Sequence, residues 1–513
     1  MAPGTGVSAE LTHAFGLSRV LDDTLGAGSR GSATRTAIER AAGSDVHGWL
    51  AHVRSAAGCS NPVRLAGSIE RIDATTGALL GTTSTQDMPD GVIYKACGNR
   101  RASVCPHCAE VYRRDAYELI RAGMIGGKGV DTHVSTHPAV FATFTAGSFG
   151  TVHTRRTSKT GQPLPCRPRR HPETCPHGIE LACHQVHDKG AHLLGTPLCL
   201  DCYDYDGQVV FNAYASELWR RTTIALGRYL DKLARRAGLP GVRATCCKVA
   251  EMQVRGVVHF HAIIRLDGLP AEGQDPAEVV PPPDGLDVID LADAIHYAAR
   301  QVGYTTPDHP DRPGGWHLTW GEQIDVRPIQ VRADTEITDS LVAGYFAKYA
   351  TKSTEATGHV SRRLNSDTID LYANEHGSHP ERLIAACWWL GRHPDWRRLR
   401  RWAHMLGFGG HFLTKSRRYS ITFRLLRNTR VIWRRTVDTE PAADTDGDTT
   451  LIVGNLSYVG TGWHTLGDAM LANTSADLAR SRQRIGREEL AHAAATGDTH
   501  VSTEQESYLD SPQ

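Results

Sequence analysis

The sequence predicts an α+β fold, on three observations. Two β-type runs, ATCCKVAEM and VVHFHAIIRL, are joined by QVRG, which reads as a hairpin with Gly256 supplying the turn. Residues Asn212 to Ala237 repeat apolar side chains at helical spacing and form the clearest amphipathic helix in the chain. Two Cys-x-x-Cys pairs, CPHC and CLDC, fall in turn-rich stretches between such elements and read as metal-stapled insertions.

Taken in order, residues 1–57 look helical and polar, with no chemistry evident. Residues 58–130 form a small strand-and-loop module closed by the helix AEVYRRDAYELIRAGMIGG, whose glycines end it. Residues 131–360 hold the strand AVFATFTA, a Cys/His-rich insertion at about 158–207, the long helix, the hairpin, a helix VIDLADAIHYAARQV, a strand QIDVRPIQV, and a helix from near Asp339, DSLVAGYFAKYATKS. Residues 361–436 are basic and rich in Trp and Arg, and 437–513 read as an acidic connector followed by a short ordered piece and a mostly disordered polar tail. At 513 residues the chain is long enough for about three domains. No internal repeat is evident.

The net charge of +1 averages opposites. Leu390 to Arg435 carries thirteen Lys plus Arg against one acid, whereas Val437 to Asp448 has five acids and no base. No apolar run reaches the roughly 18 residues of a membrane span, and the opening residues lack a signal-peptide pattern, so the expected location is the cytoplasm, with no membrane partner. In that reducing compartment the twelve cysteines are expected as thiolates and metal ligands, not disulfides.

His259 and His261 flank Phe260 in a strand, and since side chains alternate, both imidazoles leave the same face. With the turn about Arg255, Glu251 lies opposite His259 as a third ligand. Two imidazoles and one carboxylate leave positions open on a divalent ion, which suits polarising a phosphoryl oxygen. An isolated His-x-His is more often structural. The helix GYFAKYATKS changes the weighting: Tyr345 and Tyr349 are four apart and share a face, and Lys348 and Lys352 each follow a tyrosine by three. The chain has nine lysines against forty-eight arginines. Two of the nine in this repeat point to a cation set beside a phenol, which favours the phenolate. Packing of an aromatic stripe on a sheet is the plainer alternative.

FATFTA, HFHAII and YFAKYATK, in this order, resemble the three motifs of the HUH endonucleases, specifically the rolling-circle replication initiators. The flanks CGNRRASVCPHC, PLCLDCYDY, KVAEMQVRGVVHFHAIIRLDG and WAHMLGFGGHFLTKSRRYSITFRLLR are similar to RepSA-like initiators of actinobacterial plasmids and integrative elements, extending the resemblance from about Cys59 to Arg430. It implies an HUH endonuclease-like central antiparallel sheet of five strands with flanking helices. It also implies Mg²⁺ or Mn²⁺ on His259, His261 and Glu251, and a tyrosine, Tyr349 first, attacking a DNA phosphodiester. Tyr345 is then a second nucleophile or a helper in release. The implied partner is origin DNA, single-stranded or extruded at the nick. No GxxxxGK[ST] motif is present, so unwinding falls to a host helicase and extension to a DNA polymerase.

Cys59, Cys97, Cys105 and Cys108 make a four-thiolate set for structural Zn²⁺. A second zinc is expected on Cys175, Cys183, Cys199 and Cys202, with Cys166, His177 or His184 as substitutes. Cys246, Cys247 and Cys387 read as core. The basic block interleaves aromatic residues with arginine, either as an origin-binding surface or as an arginine-rich face around an aromatic core. The competing function is a zinc-stabilised, sequence-specific DNA-binding regulator without catalysis, which has no need of the tyrosine and lysine repeat. A histidine-triad nucleotide hydrolase is excluded because position 263 is Ile263.

Overall fold

A computed structural model of the chain describes residues 27–275, 278–329, 343–344, 346–348, 363–438 and 450–496. It divides into two compact units, residues 113–426 and residues 1–112 with 427–513. Tyr345, Tyr349 and Lys352 lie outside the described residues, as does most of the acidic connector.

The first helices are α1 (Ala27–Ala41) and α2 (Val46–Val53), followed by strands β1 (Val63–Asp73), β2 (Leu79–Ser84) and β3 (Ile93–Lys95), and helix α3 (Pro106–Ile125). β1 is the spine of a four-stranded antiparallel sheet. It pairs with β2, with β3, and along its whole length with a strand from the far end of the chain, running from Val63 opposite Thr461 to Asp73 opposite Thr450. Trp49, Val53, Ala56, Tyr94 and Ala472 form this unit's apolar centre. Asp90 ties it together, accepting from Trp49 Nε1 at 2.7 Å, Tyr94 Oη at 3.0 Å and Arg40 Nη2 at 2.8 Å.

The larger unit is built on β4 (Ala139–Ala146), the short pair β5 (Arg156–Thr157) and β6 (Pro163–Leu164), α4 (Tyr205–Arg236), β7 (Val242–Met252), β8 (Val258–Gly268), α5 (Val288–Gln301), β9 (Gly303–Thr305), β10 (His317–Pro328), α6 (His379–Leu390), α7 (Arg397–Arg401) and β11 (Leu413–Lys415). The main sheet has six strands in the order β11-β7-β8-β4-β10-β9, each pairing antiparallel. That is one strand more than the five the resemblance implies. α4 begins seven residues before the expected Asn212, because Asp204 caps it by accepting from the Gly207 amide. Its apolar side, with Leu218, Leu226 and Leu230, covers the sheet face that carries Phe144, Phe260 and Ile264. The alternation of strand side chains therefore sends the histidines of β8 to the opposite face.

Two expectations need correcting. The chain after Thr450 is not mainly a disordered tail: β12 (Thr450–Thr461) completes the smaller sheet and α9 (Leu466–Thr496) follows it, after α8 (Phe423–Asp438). Its ordering comes from a partner strand nearly four hundred residues away, which no local pattern announces. The aromatic residues of the basic block are also mostly interior, with Trp396, Leu399, Phe408 and Phe412 joining the core of the larger unit. β11, from the same block, pairs with the edge of β7.

Candidate metal centre

The hairpin of β7 and β8 pairs Glu251 with His259 and Val249 with His261. Both histidines aim Nε2 at one carboxylate oxygen, Glu251 Oε2, at 2.8 Å from His259 and 3.1 Å from His261. The ring centroids are 4.5 Å apart, and Glu251 and His261 are buried. Each Nδ1 is engaged on the outer side: that of His261 lies 3.1 Å from Thr143 Oγ1 on β4, and that of His259 lies 3.3 Å from the Gln253 amide. Partners at Nδ1 fix the ring orientation and leave Nε2 for a cation, the arrangement that metal-binding histidines require. Donor type, convergence and three-point geometry fit a divalent ion with open positions.

The turn that sets this register is held from several sides. Gly256 has φ of +80°, and a Cβ there would meet Leu406 Cδ1 at 2.5 Å, so glycine is required. Asn212 of α4 is buried and donates to Gly256 O at 2.8 Å and Leu406 O at 2.9 Å, while its Oδ1 accepts from the Val258 amide at 2.9 Å. The Arg255 carbonyl accepts from Gln208 Nε2 and from His379 Nε2, both at 3.0 Å. Burial, with the Arg255 and Arg382 charges adding to it, pushes the His379 imidazole down to about 4, and its Nδ1 is buried without a hydrogen-bond partner. At the other end of the hairpin, buried Asp267 accepts from His137, from Arg265 and from Thr245 Oγ1. Burial alone would raise its pKa, but these donors hold it below the usual carboxylate range.

The expected nucleophile segment reaches this face through Phe346. Its ring packs edge-on against Phe141 at 5.3 Å, and Phe141 lies 5.6 Å from the His261 ring. Phe346 follows Tyr345 directly in sequence, and Lys348, the catalytic candidate that is described, is exposed. Lys248 is a group that sequence reading passed over. It is buried on the helix-covered face with its Nζ 3.7 Å from the Phe260 ring centroid, and burial pushes its pKa down to about 8.

Three further clusters bring metal-ligating atoms together. Cys59, Cys97, Cys105 and Cys108 converge as expected, with Cys59 and Cys105 Sγ 3.8 Å apart. Tetrahedral zinc places two sulfurs about 3.8 Å apart, a sulfur and a nitrogen about 3.6 Å, and two nitrogens about 3.3 Å. The amides of Ser60 and Cys97 donate to Cys105 and Cys59 sulfur at 3.3 Å. Thiol hydrogen bonds from Cys108 and Cys59 lower the Cys105 pKa, while Cys59 is raised, so the cluster already favours a thiolate.

In the insertion, Cys175, Cys199 and Cys202 meet as expected, but the fourth member is His177, with Nδ1 at 3.1 Å from Cys202 Sγ and 3.6 Å from Cys199 Sγ. Cys183 does not join them. It sits instead with His153, Cys166 and His187, because an antiparallel bridge pairs Arg167 with Cys183 and draws Cys183 to Cys166. His184 joins neither group among the described residues. The Cys-x-x-x-His spacing of Cys183 and His187 was the available signal, whereas His153 had none. Cys247 and Cys387 are buried as expected of core residues, and Cys246 is partly buried.

On the basic block, Arg392, Arg397, Arg398, Arg401, Arg417 and Arg418 are exposed. Trp389 is its exposed tryptophan, stacked by the Arg392 guanidinium at 3.9 Å. Among the described residues no helix is long and apolar enough to cross a membrane.

Comparison with known proteins follows the same direction. A family model described as "Replication initiator protein, pSAM2" matches residues 45–477. A curated relative from Streptomyces ambofaciens, named "Replication initiator protein", is 40% identical over 453 residues, covering 86% of this chain and 92% of the relative. No solved structure matches the chain.

Proposed function

The chain belongs to the RepSA family of replication initiators, and from that membership and the geometry of its metal centre we propose that it starts rolling-circle replication by nicking and rejoining one strand of its origin. The observation that carries the proposal is the convergence of His259 and His261 Nε2 on Glu251, on the sheet face where Phe346 packs beside Phe141. A DNA-binding regulator has no use for an inward-facing carboxylate between two imidazoles whose outer nitrogens are both engaged.

In this mechanism His259, His261 and Glu251 hold Mg²⁺ or Mn²⁺, which supplies Lewis-acid polarisation of the scissile phosphoryl oxygen. Tyr349 is assigned as the nucleophile. Its phenolic oxygen bonds to phosphorus as the P–O3′ bond breaks, giving a 5′-phosphotyrosyl link and a free 3′-OH that takes up a proton. Lys348 and Lys352 favour the phenolate and neutralise phosphate charge. The link keeps the energy of the phosphodiester, so attack by a 3′-OH rejoins the strand without ATP. Tyr345 serves as second nucleophile or as helper in release. The scissile phosphate is reached in single-stranded or extruded origin DNA. The exposed arginines of the basic block supply phosphate contacts, and a host helicase and polymerase supply unwinding and extension.

Two structural zinc ions complete the assignment, one on Cys59, Cys97, Cys105 and Cys108 and one on Cys175, His177, Cys199 and Cys202. With all four positions taken by protein they are closed and do no chemistry.

The test uses single-stranded oligonucleotides tiling the element's own origin, incubated with the full chain and Mn²⁺. Cleavage at one position by the parent, lost in His259→Ala and His261→Ala while duplex origin binding persists, is the expected result. Specific duplex binding by the parent with no cleavage of either strand would leave the regulator as the correct reading.

A further inference from the structure

The insertion holds a fourth group of ligands that the function above does not use. His153, Cys166, Cys183 and His187 place one donor atom each within 4.8 Å of one another, and Cys166, Cys183 and His187 are buried. The spacings match tetrahedral S₂N₂ ligation: His153 Nδ1 to His187 Nε2 is 3.2 Å, Cys183 Sγ to His187 Nε2 is 3.5 Å, and Cys166 Sγ to His153 Nδ1 is 4.0 Å. Zinc edges of about 3.3 Å between nitrogens and about 3.6 Å between nitrogen and sulfur bracket these values. Cys166 sulfur also accepts from the Thr154 amide at 3.1 Å, as a thiolate ligand does. Two thiolates and two imidazoles in tetrahedral array select zinc over the harder divalent ions.

We propose that these four residues bind a third zinc ion, and that it clamps the insertion onto the turn of the catalytic hairpin. The path is short. His153 exchanges backbone hydrogen bonds with the next loop, its amide donating to Thr196 O at 2.8 Å and its carbonyl accepting from the Gly195 amide at 2.9 Å. Gly195, at φ of +82°, lies so close to the hairpin turn that a Cβ would come within 2.6 Å of Arg255 N and the Val254 carbonyl carbon. Arg255 Nε donates to Gln253 Oε1 at 2.9 Å, and the Gln253 amide lies 3.3 Å from His259 Nδ1. One bound ion thus fixes His153, the loop it pairs with, the turn that loop touches, and the glutamine that orients His259.

The ion count does not depend on the nicking reaction, so the two readings fail separately. Full-length protein purified without chelator is analysed by native mass spectrometry and elemental analysis. The parent is expected to hold three zinc ions, His187→Ala one fewer, and His187→Cys, which restores a ligand, the parental number. A parental count of two that drops to one in His187→Ala also supports this site and removes one of the other two. A count that His187→Ala leaves unchanged overturns the proposal, and the soluble His187→Cys chain and the parental count give the answer even where the alanine variant does not accumulate. For the clamp, Mn²⁺ titration followed by electron paramagnetic resonance should show weaker binding at His259 and His261 in His187→Ala and parental binding in His187→Cys. Loss of one zinc with unchanged Mn²⁺ affinity would overturn the clamp.

Discussion

Thr143→Val is the sharpest perturbation of the metal centre, because it changes one oxygen and no ligand. Thr143 sits on β4 directly opposite His261, with Oγ1 3.1 Å from His261 Nδ1. Valine keeps the volume and β-branching, so the strand is retained. What is lost is the acceptor that holds the ring with Nδ1–H outward and Nε2 toward the ion. Removing such an outer partner lowers metal affinity by about 10- to 100-fold, or about 1.4 to 2.7 kcal/mol. Titration of the full chain with Mn²⁺, followed by loss of the free-ion resonance, reads the affinity directly. Thr143→Ser, which keeps a hydroxyl, should remain near the parent. An affinity for Thr143→Val equal to that of the parent would show that His261 does not bind through Nε2, and the ligand assignment would fall.

Two further predictions concern the hairpin's support. Asn212→Leu strips three hydrogen bonds from the buried turn, leaving Gly256 O, Leu406 O and the Val258 amide to find other partners, and should cost about 3 kcal/mol or more in urea unfolding; a cost under about 1 kcal/mol would mean that the turn is held elsewhere. His379 carries a folded pKa of about 4 against an ordinary 6.5. The unfolded chain therefore binds the extra proton between those values, and stability falls as pH drops from about 6.5 to about 4, by about 3 kcal/mol in total. His379→Gln keeps a donor for Arg255 O but cannot titrate, so its unfolding midpoint should decline less over that window; parallel declines in parent and variant would assign the acid sensitivity to other groups.

The metal centre was legible because it depends on a period of two. Once Gly256 marks the turn, the register of Glu251 against His259 follows from counting residues, and the structure has that register. The four-cysteine cluster was legible for a similar reason, since CPHC presents two ligands on one knuckle. What local patterns could not supply was pairing at long range. β12 is ordered by β1, and Cys183 is assigned to its cluster by a bridge to Arg167, neither of which leaves a mark in the neighbouring residues. The basic block shows a different limit: Trp396 and Phe408 alternate with arginines just as stacking residues would, yet they are buried. Composition fixes which residues are present there, and packing against α4 and the main sheet decides which of them a strand of DNA can reach.

The measurement that bears most directly on the central claim is covalent capture. A labelled origin oligonucleotide is incubated with the full chain and Mn²⁺, denatured, and run on a protein gel beside Tyr349→Phe and Tyr345→Phe. The account predicts label migrating with the parent protein and absent from Tyr349→Phe. Strand cleavage that leaves no label on the parent, or label that survives loss of both tyrosines, would contradict a phosphotyrosyl mechanism in this chain.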